Sequence, residues 1–156
     1  MGTENTFNGY VTSVVKRMGN TFKVQKISDR FKAGVSDWLI FHEGLVIAIE
    51  SKYIHKVPLQ PGTKLLRHVV SGPQRTYMKT LAEAHVPCWV IVGIGTERRI
   101  IVVPFSALPA AGNWTAAEFT EQREVSSVYA YDGIPMMIRD MFDHSIQRYR
   151  GRHGGA

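Results

Sequence analysis

The stretch Phe31–Tyr53, FKAGVSDWLIFHEGLVIAIESKY, decides the fold. Two runs rich in β-branched and aromatic residues, VSDWLIF and LVIAIESKY, flank HEG, the pattern of a β-hairpin. Side chains alternate across a strand, so Glu50 and Lys52 share one face with Val46 and Ala48. Leu45, Ile47, Ile49 and Ser51 take the other face. Antiparallel pairing about a turn at His42–Gly44 joins residues whose numbers sum to about 86 or 87. Asp37 and Glu50 are therefore expected as cross-strand neighbours.

Two adjacent carboxylates repel and destabilise a sheet edge. A hard divalent cation, Mg²⁺ or Mn²⁺, removes the conflict because it prefers carboxylate oxygens and retained waters. Such an ion polarises a phosphate and lowers the pKa of a bound water. Lys52, one step along the ladder, is placed to orient that water or to neutralise charge developing on phosphorus. The competing reading makes Asp37, Glu50 and Lys52 ordinary strand-end charges. The GVSD turn, the gap of about a dozen residues and the apolar hairpin between the two acids favour the metal site.

Upstream, Phe7, Tyr10, Val11, Val14, Val15 and Met18 recur at helical spacing, predicting a helix over Glu4–Met18 with Gly19 as its cap. FKVQKI is a short strand and SDRFKAG a polar loop. Downstream, 54–70 is a long connection with Pro58, Pro61 and Gly62, carrying a short strand at KLLRHVV. SGPQRTYMKTLAEAH is a second helix with Tyr77, Met78, Leu81 and Ala82 on its apolar side. CWVIVGI and RIIVVP are strands separated by GTER. TAAEFTEQ is a short helix and VSSVYAY a strand. IPMMIRDMFDHSIQRY is an amphipathic helix, apolar at Ile134, Met137, Ile138, Met141, Phe142 and Ile146. This order is that of an α/β protein with a mixed β-sheet flanked by helices.

The 156 residues are expected to form one compact unit. No run approaches about 18 apolar residues, so no membrane span is expected. The N-terminal MGTENTFNGY lacks a signal-peptide layout. A single cysteine, Cys88, excludes an internal disulfide and fits a reducing cytoplasm (a host's, if the protein is phage-encoded). Cys88 lies in a strand-like run and reads as a buried, inert thiol. Lys and Arg number 19 against 13 Asp and Glu, a net charge of +6 that favours polyanionic partners. Lys26, Arg30 and Lys32 before the motif, and Arg67 and Arg75 around the second-helix entrance, are either nucleic-acid contacts or solvated charges. The six histidines show no metal-ligand spacing, and GIG at Gly93–Gly95 reads as a turn, with no phosphate-loop lysine after it. Trp38, Trp89 and Trp114 read as core or interface residues.

AGVSDWLIFHEGLVIAIESKY resembles the core motif of the PD-(D/E)XK nuclease superfamily, with spacing most similar to the VRR-NUC and Holliday-junction-resolvase-like branch. The resemblance covers about residues 4–104, and Ser36 replaces the family's turn proline. It implies a restriction-endonuclease-like core at 1–104, leaving 105–150 as a C-terminal helical extension and 151–156 as a disordered tail. The extension is expected to pack on the core or at a homodimer interface. The resemblance implies Asp37 and Glu50 as ligands of Mg²⁺ or Mn²⁺, with the Ser51 backbone carbonyl a third, and Lys52 as the catalytic lysine. Glu4 completes the metal shell or only complements its helix dipole. Gln74 meets the active site, closes a capping box with Ser71, or does both. The implied activity is an endonuclease acting on DNA, first on branched DNA as a Holliday-junction resolvase. Flap, nicking or restriction-type cleavage and a catalytically silent DNA-binding module are the alternatives.

Overall fold

The structure is a computed structural model that describes residues 3–27, 38–66, 72–109 and 113–153. A sheet is built from β1 (Phe22–Lys26), β2 (Trp38–His42), β3 (Leu45–Ile54), β4 (Cys88–Ile94), β5 (Arg99–Pro104) and β6 (Ser127–Ala130). The strands lie in sequence order, antiparallel except for β3–β4, which is parallel. A parallel pair needs a crossover, and helix α2 (Gly72–Glu83) supplies it. The mixed sheet flanked by helices is the architecture expected from the order of apolar runs.

The hairpin forms because Glu43 (φ 48°) and Gly44 (φ 80°) both take left-handed backbone, the geometry of a turn whose twist matches its strands. That turn pairs His42 with Leu45 and holds the register through Trp38–Ile49, so paired numbers sum to 87. Alternation then sorts the sheet into two faces. Ile47, Ile49, Trp89, Ile91, Ile100 and Val102 bury one face against α1 (Glu4–Lys16) and α4 (Ile134–His153). Ala48, Val90, Val92, Ile94, Ile101 and Val103 bury the other against Met78 of α2 and Phe119 of α3 (Ala116–Glu124). β4, covered on both faces, is buried at every residue, as a central strand must be.

Helix α1 stops at Lys16, short of the expected Met18, because the amides of Arg17 and Met18 turn back to Val14 and Val15 carbonyls. Gly19 (φ 116°) follows as part of the turn rather than as the cap. The strand expected at KLLRHVV is absent from its described part: Lys64 makes only an isolated bridge to Thr115, and 67–70 lie outside the described residues. The segment 105–150 contributes α3, the sixth strand and α4. Met137, Met141 and Phe142 are buried beside α1, leaving Met136 exposed. Helix α4 runs to His153, three residues into the tail expected to lack structure. At GIG the glycines serve close packing: a Cβ on Gly93 would lie 2.7 Å from the Phe7 ring.

Candidate active site

β3 carries Glu50 and Lys52 onto the face covered by α2, beside Ala48 and in line with Val90 and Val92 of β4. The Glu50 side chain is 1% exposed, and Lys52 reaches it with Nζ 3.2 Å from Oε1. Gln74, in the first turn of α2, donates from Nε2 to the same Oε1 at 2.8 Å. A carboxylate taken out of water needs such donors, since an uncompensated buried charge is strongly disfavoured. Strand spacing brings Glu50 and Lys52 together; Gln74 arrives from 24 residues away because the crossover helix begins over the carboxyl end of β3.

Glu50, Lys52 and Gln74 thus converge. Gln74 makes the contact with the acid; the capping box, which is compatible with that contact, involves Ser71, and Ser71 lies outside the described residues. Asp37, Arg30, Lys32 and Arg67 also lie outside the described residues. Ser51 pairs with Ile91 and turns its side chain away from Glu50, fully buried. Glu4 stands in the first turn of α1, after the Thr3 cap, and the buried residues of that helix pack on the sheet face opposite Glu50. Lys26 is exposed at the end of β1, paired with Trp38. Arg75 is committed to an internal contact that its position in the sequence did not signal, donating from Nη2 to the Pro109 carbonyl at 2.8 Å.

The remaining polar groups behave as background. Burial pushes the Cys88 thiol up to about 11, so it is protonated and inert at neutral pH. Trp38, Trp89 and Trp114 are buried in the two layers. His42 stacks on Phe22 with ring centroids 3.8 Å apart, and His144 meets Trp89 edge-on. Among the described residues, no three His, Cys, Asp or Glu side chains gather as a metal cluster. The described donor at the heart of the site is the Glu50 carboxylate, a hard oxygen ligand. That chemistry fits a hard cation such as Mg²⁺ or Mn²⁺ rather than a soft one.

No family model matches the sequence, and none of the curated proteins does. Among solved structures, the chain is similar to Hjc, a Holliday junction resolvase from the archaeal hyperthermophile Archaeoglobus fulgidus. The TM-score is 0.55 at 12% identity, over 78% of this chain and 93% of that one. At this identity the likeness is one of fold. The chain therefore shares the fold of that resolvase structure, a mixed sheet with helices on both faces; its own third strand carries the buried Glu50 beside the partly exposed Lys52.

Proposed function

We propose that this protein is a metal-dependent DNA endonuclease of the PD-(D/E)XK superfamily that hydrolyses phosphodiester bonds in branched DNA. The observation that carries the proposal is the convergence of Lys52 Nζ and Gln74 Nε2 on the buried Glu50 carboxylate within a resolvase-like fold. A surface ion pair of no consequence does not require burial to 1% and a third donor from another element. The net charge of +6 suits a phosphate backbone.

Asp37, Glu50 and the Ser51 carbonyl would hold Mg²⁺ or Mn²⁺, with Glu4 direct or through water. Once bound, the ion supplies Lewis-acid polarisation of the scissile phosphate and a lowered water pKa. Glu50 presents its carboxylate from a rigid central strand. Gln74 fixes the rotamer of that carboxylate by donating to Oε1. Lys52 offers a cation beside the acid, where it orients the attacking water and offsets charge on the phosphoryl oxygens. Opposed cuts at a junction need two such sites, so a two-fold homodimer is part of the proposal.

The test is cleavage of labelled four-way junction, flap, splayed-arm and linear duplex DNA in Mg²⁺, Mn²⁺ and EDTA. Junction cleavage in either metal and none in EDTA is expected. Asp37→Ala, Glu50→Ala and Lys52→Ala should abolish cutting while DNA binding persists. Equal cleavage in EDTA would refute the mechanism. Binding without cleavage in either metal would identify a silent binding module.

A further inference from the structure

The chain leaves β3 at Ile54, two residues after Lys52, and enters a loop over 55–64 that is held rigidly. Its first residues are pinned to the β4–β5 turn: Gly95 N donates to the Ile54 carbonyl and Thr96 N to that of His55, each at 2.9 Å. Its far end is pinned to α3, with Ala116 N donating to Thr63 at 2.8 Å and Ala117 N to Pro61 at 3.1 Å. Val57 and Leu65 anchor it in the apolar layer beneath. Pro58 and Pro61 fix φ on both sides of the tip.

The tip residue is Leu59, whose side chain is 86% exposed. A single exposed leucine on a surface is ordinary. Here the leucine stands on a braced loop beside the candidate catalytic strand, between the exposed cations Lys56 and Lys64. The turn that braces the loop adds Arg98, and β5 begins with Arg99, both exposed. None of these four cations has an ion-pair partner among the described residues. Arg98 is further held over the Tyr131 ring, 5.4 Å from its centroid.

Resting on the nuclease reading above, we propose that the 55–64 loop recognises the DNA branch. Leu59 packs on the base-pair face that a branch point exposes, and Lys56 and Lys64 take the phosphates on either side. Apolar side chains on cationic supports pack against base steps in this way, and a linear duplex must first be unstacked to offer the same face. Leu59 lies seven positions after Lys52, so they lie within roughly 25 Å, which places the cut within about seven nucleotides of the branch.

The test uses a four-way junction with 2-aminopurine in a pair flanking the branch point, and a linear duplex with the same arm sequence. Binding is measured in EDTA and cleavage separately in Mg²⁺. Wild-type protein should raise the 2-aminopurine fluorescence of the junction. Leu59→Ser should lose that rise and about tenfold of the preference for junction over duplex, with duplex affinity unchanged. The thermal midpoint should not move, because the side chain is solvent-facing. The double variant Lys56→Ala, Lys64→Ala should weaken binding to both DNAs and reduce the log–log salt slope by about two. Leu59→Ser with wild-type fluorescence and preference would overturn the inference, as would equal losses on both DNAs. Wild-type protein that cuts nothing while keeping the fluorescence signature would strike the nuclease reading alone.

Discussion

Replacing Lys52 with methionine keeps most of the aliphatic stem and removes the cation 3.2 Å from Glu50 Oε1. Glu50 is 1% exposed, so its charge would lose a neighbour that water cannot replace. Removing one partner of a fully buried pair costs about 3–5 kcal/mol; the Lys52 side chain is 15% exposed, so a smaller loss of about 1–3 kcal/mol is expected. For a chain of this size that lowers the thermal midpoint by about 2–12 °C. Glu50→Gln combined with Lys52→Met removes both charges and should recover part of the loss, a coupling of about 0.5–3 kcal/mol. The assay is a double-mutant cycle in urea and EDTA, with Mg²⁺-dependent cleavage measured on the same four proteins. All three variants should be inactive, by at least about a hundredfold. Zero coupling would refute the electrostatic account of the pair. Wild-type cleavage by Lys52→Met would reduce Lys52 to a structural counter-ion.

Gln74→Ala removes a donor at 2.8 Å from an anion and should slow cleavage roughly tenfold to a hundredfold with DNA affinity intact; a fall in stability without a fall in rate would mean that Gln74 serves only the helix. Cys88, raised from 9.0 to about 11 by burial, stays protonated in the folded state at pH values where the unfolded thiol ionises. The unfolded state therefore binds fewer protons, and stability is lost as pH rises between about 9 and about 11. Urea midpoints should fall over that window and Cys88→Ala should flatten the fall; Tyr129, raised to about 12 first by burial and then by its hydrogen bond to Asp140, adds a similar loss starting near 10. Gly93→Ala would push a Cβ to 2.7 Å from the Phe7 ring in a fully buried layer, costing about 1–3 kcal/mol; a thermal midpoint within about a degree of wild type would show that the ring yields.

The hairpin, the crossover helix and the central strands were legible because their signals are local. Glu43–Gly44 dictates a two-residue turn, a two-residue turn dictates the register, and the register assigns each β3 side chain to a face. Alternation along LVIAIESKY alone places Glu50 and Lys52 together. The end of α1 and the path of 55–66 were read less well. The end of α1 is set by i→i−3 bonds from Arg17 and Met18 that the apolar periodicity does not mark, and the path of 55–66 by bonds to the β4–β5 turn and α3, distant in the chain. The SGPQ pattern signals a capping box, while the contact of Gln74 with Glu50, compatible with it, depends on how α2 docks over β3.

Periodicity and turn chemistry in the sequence by themselves determined the element types, the pairing of the hairpin and the shared face of the acid and the lysine. Each of these follows from bonds within a few residues. The tertiary structure alone decided that Glu50 would be sealed from solvent, that Gln74 would cross from another element to meet it, and that a braced loop following β3 would expose Leu59. Burial and convergence are properties of how layers stack, and stacking is governed by contacts between residues distant in the chain.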